Sequence, residues 1–130
     1  MSRIRFLTLE EILFLHELSL ELYGGADGIR ALALLESSVQ RPKSSFGGKF
    51  LYQSIFDKAS SLIHSLILNH PFVDGNKRTA VYSVFIFLHL NGWEIRARDN
   101  KFYDLVTDII KKRSAIKETS NWLKINSVKI

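Results

Sequence analysis

The chain has 130 residues, 46% of them hydrophobic, which is enough for one compact domain with a core and too few for two ordinary domains. It contains no cysteine, which excludes disulfides, thiolate chemistry and cysteine-bound metals and favours a reducing compartment, so we expect a cytoplasmic protein. The most apolar stretch, AVYSVFIFLHL, is about half the length that a bilayer helix needs, so no membrane partner is expected. We predict a single domain over residues 1–130.

The net charge of +5 is concentrated near the C-terminus. Residues 1–95 carry nine basic and nine acidic side chains, whereas residues 96–130 carry nine basic and four acidic ones. A basic segment is compatible with nucleic-acid binding, and that function is one alternative. In a chain with only 24% charged residues a solvated helix face is the commoner explanation, so we do not expect direct binding of nucleic acid.

Helical periodicity dominates the first 40 residues. Thr8 and Glu11 have the spacing of a capping box and open a first amphipathic helix, LEEILFLHELSLELY, which we expect to end at Gly24. Asp27 is the predicted cap of a second helix, IRALALLESSVQ, which Arg41 and Pro42 terminate. Both helices are predicted from local signals alone.

A loop and a third helix follow. Residues 42–49, PKSSFGGK, are rich in turn formers and are predicted to be an exposed loop. A helix is then predicted from about Ser54 to Asn69, with one apolar stripe. Pro71 ends it, because a proline disfavours helical backbone in the residue before it.

The second half of the chain predicts three more helices. One begins near Asn76 and ends before Gly92, and its middle, AVYSVFIFL, is apolar on nearly every side, so it is the predicted buried axis of the fold. WEIRA is predicted to be a short extended piece or loop. Asp99 and Ser114 can cap two further helices, which would close an all-α bundle of about six helices.

Between the third and fourth helices the sequence reads HPFVDGNKRT, residues 70–79. Taken singly, its residues fit an ordinary helix end, a turn and an N-cap. That explanation fails at Lys77 and Arg78, because cations in a first helical turn oppose the helix dipole unless an anion binds there. Free N–H groups, the glycine at 75 and two long cationic side chains predict a phosphate site.

Two further residues of this segment could take part in a reaction. Asp74 can hold Mg²⁺, which proteins often bind through one or two carboxylates together with phosphate oxygens. His70 can accept a proton from an attacking hydroxyl near neutral pH. The combination predicts phosphoryl or nucleotidyl transfer to a hydroxyl, and it matches neither the P-loop nor the EF-hand pattern.

HPFVDGNKRTA resembles the signature of the Fic/Doc family, written HxFx[DE][GA]N[GK]R, and its lysine is similar to that of the Doc (death-on-curing) branch of bacterial toxins. GIRALALLESSVQRP followed by FGG also resembles Doc-like proteins, so the resemblance covers about residues 6–125. It implies a compact Fic-fold bundle of six helices with ATP as substrate and Mg²⁺ as cofactor. It further implies these roles: His70 as the catalytic base, Phe72 as the loop anchor, Asp74 as the metal ligand, and Gly75, Asn76, Lys77 and Arg78 as the nucleotide and phosphate site.

The motif departs from the AMP-transferring pattern at two positions. Lys77 stands where those Fic enzymes usually have glycine, and Val81 stands where they have a second arginine. The resemblance to the Doc branch therefore implies a protein kinase that modifies a threonine of translation elongation factor Tu and arrests translation. AMP transfer and an inactive Fic-fold binding module are the alternatives.

Regulation is expected to come from outside the chain. Fic enzymes are often silenced by a helix with the pattern [ST]xxxE[GN], and here no glutamate precedes glycine or asparagine. The resemblance therefore implies a separate antitoxin partner. Residues 42–49 are a candidate lid over the target peptide, and a plain surface connection explains them equally well. His16, His64 and His89 have no carboxylate or histidine partner at helical spacing, so no metal role is expected for them.

Overall fold

The structure, a computed structural model, describes residues 3–112 and 115–130. Six α-helices dominate this part of the chain: α1 Leu9–Tyr23, α2 Leu32–Gln40, α3 Ile55–Leu68, α4 Asn76–Leu90, α5 Asp99–Lys112 and α6 Ile116–Ile125. Two small antiparallel sheets accompany them, β1 Ser45–Phe46 with β2 Lys49–Phe50 and β3 Trp93–Ile95 with β4 Ser127–Lys129. The predicted all-α bundle of about six helices is confirmed.

The predicted ends of the first helix are confirmed. The Thr8 hydroxyl accepts from the Glu11 N–H at 3.2 Å, and the Glu11 carboxylate accepts from the Thr8 N–H at 2.8 Å, which completes the capping box. Gly24 follows the last turn with φ +79°, and its N–H donates to the Leu20 carbonyl. Local sequence signals therefore position α1 correctly.

The most enclosed helix is α3. Every residue from 58 to 67 is buried, including Ser60 and Ser61, whose hydroxyls donate to backbone carbonyls of Ile116 and Lys58. The prediction that the fourth helix is the buried axis is wrong, because its outer side chains are partly exposed: Phe85 36%, Ile86 39% and Leu90 43%. Neighbouring elements can surround α3 closely because its serines are small and their hydroxyls are hydrogen-bonded to backbone carbonyls. The apolar pattern of α4 does not show which of its faces is covered.

The predicted cap of the second helix is also wrong. Helix α2 begins at Leu32 with Ala31 as N-cap and without a side-chain cap, and the Asp27 carboxylate accepts instead from the Gly28 N–H. Ile29 is paired with Phe72 in an isolated antiparallel bridge. The backbone before α2 is extended because it is hydrogen-bonded to the loop between α3 and α4, a long-range pairing with no local signal.

The segment predicted as an exposed loop contains a short 3₁₀ turn, Arg41–Lys43, and the β1–β2 hairpin. Gly47 and Gly48 form the turn of the hairpin with φ values of +60° and +80°, a conformation that favours glycine. All four strand residues are exposed, as expected for this segment. The sequence predicted this hairpin only as a loop.

The C-terminal part completes the bundle. WEIRA begins as β3, as predicted, and its partner β4 was not predicted. The predicted cap Ser114 and the side chain of the predicted cap Asp99 lie outside the described residues. Within the described ranges, no helix combines the length and the apolar character that crossing a membrane requires.

Candidate active site

The candidate site is the loop of residues 70–75, which joins the end of α3 to the start of α4. Asn76, the first residue of α4, closes this loop from inside. Its carbonyl oxygen accepts from the Phe72 N–H at 2.9 Å, and its amide nitrogen donates to the Phe72 carbonyl at 2.9 Å. Asn76 is 6% exposed, so its amide is held in place on the loop backbone.

The amide nitrogen of Asn76 also lies 3.2 Å from Nδ1 of His70. Because the Phe72 N–H fixes the orientation of the amide, a donor faces Nδ1, and Nδ1 must accept. The neutral His70 ring therefore carries its proton on Nε2. The side chain of Asn76 is used to shape the loop, and only its backbone N–H is left for the anion-binding role that the resemblance implies.

The backbone of His70 is strained. Its φ is +49°, the left-handed conformation, which costs a non-glycine residue about 1–2 kcal/mol. Pro71 follows and disfavours the right-handed helical conformation at position 70. The Arg30 guanidinium donates to the His70 carbonyl at 2.6 Å and to the Asn69 carbonyl at 2.7 Å. Contacts from the segment before α2 thus stabilise the strained residue.

Phe72 anchors the middle of the loop. Its side chain is fully buried, and the ring of His16, on α1, stacks on it with 3.8 Å between ring centroids. Nε2 of His16 donates to the Asp74 carbonyl at 2.8 Å. His16 is itself 3% exposed. One side chain of α1 therefore supports both halves of the loop.

The carboxylate of Asp74 is oriented by backbone N–H groups. Its Oδ2 accepts from the Ala26 N–H at 3.2 Å and its Oδ1 from the Gly75 N–H at 2.8 Å. These hydrogen bonds, helped by the positive charge of Arg78, hold the pKa of the Asp74 carboxyl below its usual value. Asp74 is exposed and ionised at neutral pH, and it faces the loop that follows α1.

The start of α4 has the properties of an anion site. Gly75 has φ +79°, no side chain caps the helix, and its first turn contains no acidic residue. The N–H groups of a first turn have no partner within the helix. Lys77 and Arg78 are both exposed, and the Arg78 guanidinium lies 4.5 Å from the centroid of the Tyr23 ring. Arg78 thus makes a cation–π contact with Tyr23.

An apolar cleft of about 470 Å³ adjoins the two cations. Its walls come from the end of α1, the first half of α4 and α5, and they include Tyr23, Val81, Val106 and Ile110. Burial and a hydrogen bond with Tyr23 raise the pKa of Tyr82 in the same wall. The cleft thus joins a cationic end, lined by Lys77 and Arg78, to an apolar groove.

The donor set fits one kind of metal site. The described residues hold no cluster of three or more histidine, cysteine, aspartate or glutamate side chains. Asp74 supplies one ionised carboxylate beside two cations and unpaired helix N–H groups, which suits a magnesium ion that arrives with phosphate oxygens. A metal held by protein ligands alone does not fit these residues.

The structure brings together every motif residue that the sequence singled out, and it adds others. His16, Arg30 and the Gly25–Ala26 backbone contact the loop directly. Sequence analysis expected no metal role for His16 and assigned it no other. No spacing rule links these residues to a loop more than 35 positions away, so only the fold reveals them.

Residues 6–88 match the Fic/DOC family, and the chain belongs to this family. It is 43% identical over 75 residues to Toxin Doc of Mycolicibacterium smegmatis, a stretch that covers 58% of this chain and 58% of that protein. It is 28% identical over 95 residues to Protein kinase doc of Escherichia phage P1, covering 71% of this chain and 72% of the phage protein. The match to Toxin Doc thus spans less than two thirds of the length of that relative.

Proposed function

We propose that this protein is a Doc-like toxin that acts in the cytoplasm and transfers the γ-phosphate of ATP to a hydroxyl of a target protein. The observation that carries the proposal is the loop of residues 70–75, which sets a histidine, a carboxylate and an uncapped helix start side by side. The names of the relatives, Toxin Doc and Protein kinase doc, support it. The resemblance to the Doc branch suggests a threonine of elongation factor Tu as target, with arrest of translation as the result.

The phosphates of ATP are proposed to bind at the start of α4. The free N–H groups of the first turn, Lys77 and Arg78 supply positive charge there. Arg78 would leave the ring of Tyr23 to meet them. Asp74 would hold Mg²⁺ together with the phosphate oxygens, and the ion would neutralise charge that develops on the transferred group.

In the proposed transfer step the protein forms no covalent bond with the transferred phosphoryl group. The target hydroxyl oxygen bonds to the γ-phosphorus, the bond to the β–γ bridging oxygen breaks, and ADP leaves. His70 takes the hydroxyl proton. His70 is exposed, so a bound substrate can turn the ring away from Asn76 until the unprotonated nitrogen, Nδ1, meets the hydroxyl.

The β1–β2 hairpin is the proposed lid over the target segment. Its strand residues are exposed, and Phe46 at its tip is 83% exposed, so an aromatic side chain is accessible to a partner. An extended segment of the target can add to such an edge through main-chain hydrogen bonds. Selection of the target hydroxyl would then depend on the hairpin.

An antitoxin is the proposed source of inhibition. The apolar cleft beside Arg78 suits an amphipathic helix from a separate protein. A carboxylate on that helix would bind Arg78 and so compete with the phosphates. Inhibition of the toxin would then come from a separate protein, in line with the lack of an [ST]xxxE[GN] pattern in this sequence.

The test is a transfer assay in bacterial lysate that compares ATP labelled at the γ-phosphate with ATP labelled at the α-phosphate. His70→Ala is the control, and purified elongation factor Tu is tested in parallel. Label from γ alone, lost in His70→Ala, is the expected result. Label from α would instead identify a nucleotidyl transferase despite Lys77. No label from either would point to a binding module.

A further inference from the structure

Three successive carbonyls at the start of the candidate loop accept hydrogen bonds from one residue, Arg30. Its Nη2 donates to the Asn69 carbonyl at 2.7 Å, its Nε to the His70 carbonyl at 2.6 Å, and its backbone N–H to the Pro71 carbonyl at 2.7 Å. Arg30 lies outside the HPFVDGNKR motif, about 40 positions earlier in the chain. The backbone carbonyls on either side of His70 are therefore held from outside the motif.

These carbonyls need an external donor. Asn69 ends α3, where the last carbonyls have no partner within the helix, and positive charge is favourable at that end. His70 is in the left-handed conformation, which persists only where surrounding contacts determine it. The two side-chain bonds of Arg30 fix the peptide units before and after His70.

We propose that Arg30 is a positioning residue whose guanidinium sets the geometry of the His70 imidazole. This inference rests on the proposed function in one respect, the role of His70 in accepting the hydroxyl proton. A guanidinium offers two N–H groups in a rigid plane, so it holds two carbonyls at once, whereas a lysine has a single flexible nitrogen. The planar fork, and not the charge alone, is the required feature.

The Arg30 side chain can be replaced while the backbone hydrogen bonds between the segment before α2 and the candidate loop remain. Backbone bonds from Arg30 and Ala31 to the Pro71 carbonyl, and from Val73 to the Gly28 carbonyl, do not use the guanidinium. Arg30 and His70 are exposed, so water can replace the lost donors. A substitution at position 30 therefore acts on the orientation of His70 more than on folding.

The other half of the loop does not depend on Arg30. His16 and the Ala26 N–H hold Asp74, and the start of α4 presents Lys77 and Arg78. We expect Arg30→Lys to leave the KM for ATP within about two-fold and to lower kcat about 10- to 100-fold, the usual effect of a misplaced catalytic group. A purely structural role would change the thermal midpoint or both constants together.

The experiment uses two readouts on the full chain, with Arg98→Lys as the matched control because Arg98 is exposed and lies between β3 and α5, outside the segment before α2 that contacts the loop. The first readout is the ¹H–¹⁵N spectrum of protein labelled on histidine side chains, with His70 assigned from His70→Ala. We expect Arg30→Lys to move the His70 ring signals towards the tautomer mixture of a free histidine and to leave those of His64 and His89 unchanged. Unmoved His70 signals would overturn the inference, whether or not the protein transfers phosphate.

The second readout is γ-phosphate transfer from ATP to purified elongation factor Tu. A lower kcat with unchanged KM in Arg30→Lys, and wild-type values in Arg98→Lys, support the inference. Wild-type kcat in Arg30→Lys overturns it. Absence of transfer by the wild-type protein contradicts the proposed function instead, and the spectrum then decides the positioning role.

Discussion

The imidazole of His16 lies flat against the phenyl ring of Phe72, with the two ring planes inclined by only 6°. The same imidazole donates through Nε2 to the carbonyl of Asp74. Helix α1 thus supports the centre of the candidate loop by stacking and the half that contains Asp74 by a hydrogen bond. Histidine is suited to this position because one buried side chain provides both an aromatic face and a donor.

Replacing His16 separates these two contributions. His16→Phe keeps an aromatic face and leaves the Asp74 carbonyl without its donor, so we expect a loss of about 1–2 kcal/mol in the free energy of unfolding. His16→Ala loses the ring as well and should lose about 2–4 kcal/mol. Urea denaturation measures both, with the exposed His89→Ala as control. Equal stability of the three variants would show that α1 does not support the loop.

Gly25 keeps space free for the Asp74 carboxylate. A Cβ at position 25 would lie 2.7 Å from Asp74 Oδ2, whereas a Cβ at Gly24 meets nothing within 4 Å. Both glycines have positive φ, so alanine at either site should cost about 1–2 kcal/mol in stability. Only Gly25→Ala should also weaken the magnesium-dependent part of nucleotide binding, because only it displaces the carboxylate.

Calorimetric titration with a non-hydrolysable ATP analogue, with and without Mg²⁺, tests this difference. Gly24→Ala is the matched control for backbone strain, and it should bind as the wild type does. If Gly25→Ala retains the full effect of Mg²⁺, Asp74 is not the metal ligand.

Features of the fold that depend on neighbours in sequence were predicted correctly, whereas features that depend on contacts between distant parts of the chain were missed. Thr8 was predicted correctly as a cap because a cap and its partner lie three residues apart. The prediction that Asp27 caps α2 had the same local basis but was wrong, because the backbone after Asp27 is hydrogen-bonded to Pro71 and Val73. Pairing over 40 positions depends on how helices pack, which a local pattern does not encode.

The candidate site shows the same division. The motif predicts chemical roles for residues between 70 and 78, because those roles depend on residue type and close spacing. It could not reveal His16 or Arg30, whose importance comes from distances across the fold. Nor could it show that the Asn76 amide is engaged by Phe72. The residue types of the motif therefore predict chemical roles, whereas the packing of the fold determines which side-chain groups, such as the Asn76 amide, are already hydrogen-bonded within the protein.

The stability of the protein should depend on pH through His64. This residue is 4% exposed, hydrogen-bonds to the Thr119 hydroxyl at 2.7 Å, and has its pKa lowered to about 4 by burial and by the charge of Arg41. The unfolded chain takes up this proton near pH 6.5 and the folded protein only near pH 4. Between these values the unfolded state binds more protons, so stability falls as pH falls, by about 3 kcal/mol at most.

His64→Gln tests this prediction, since glutamine keeps a polar group near Thr119 and does not titrate. Unfolding free energies from urea titrations at pH 4.5, 5.5, 6.5 and 7.5 should decline less steeply in the variant than in the wild type. His89→Gln, on an exposed position of α4, should follow the wild-type curve. Parallel curves for wild type and His64→Gln would mean that His64 is protonated without penalty in the folded protein.

Binding and transfer should be separable at the two ends of the loop. Arg78→Ala removes a cation from the phosphate site and should weaken ATP binding about ten-fold, which corresponds to the loss of one charge-assisted contact. His70→Ala should bind ATP normally and lose transfer, because the role proposed for His70 is contact with the hydroxyl and not with the phosphates. Titration with ATP and the γ-label assay measure the two effects. Unchanged affinity in Arg78→Ala would contradict the phosphate site.

The hairpin should depend on a buried lysine. Lys58 is 1% exposed, its Nζ donates to the Tyr52 carbonyl at 2.7 Å and to the Gln53 carbonyl at 2.8 Å, and it lies 4.3 Å from the centroid of the Phe50 ring. Lys58→Met fills the same space but leaves both carbonyls without their donor. We expect a loss of about 2 kcal/mol in stability and faster proteolysis within residues 45–50.

Lys49→Met is the control, because Lys49 lies on the exposed strand β2 and its replacement should change neither property. A stable variant with an unchanged cleavage rate would show that the hairpin is held without Lys58. Faster cleavage confined to the hairpin, together with normal ATP binding, would instead show that the proposed lid is held independently of the nucleotide site. In that case Lys58→Met should affect transfer to a protein target and leave ATP affinity intact, which is the behaviour expected of a surface that selects the substrate.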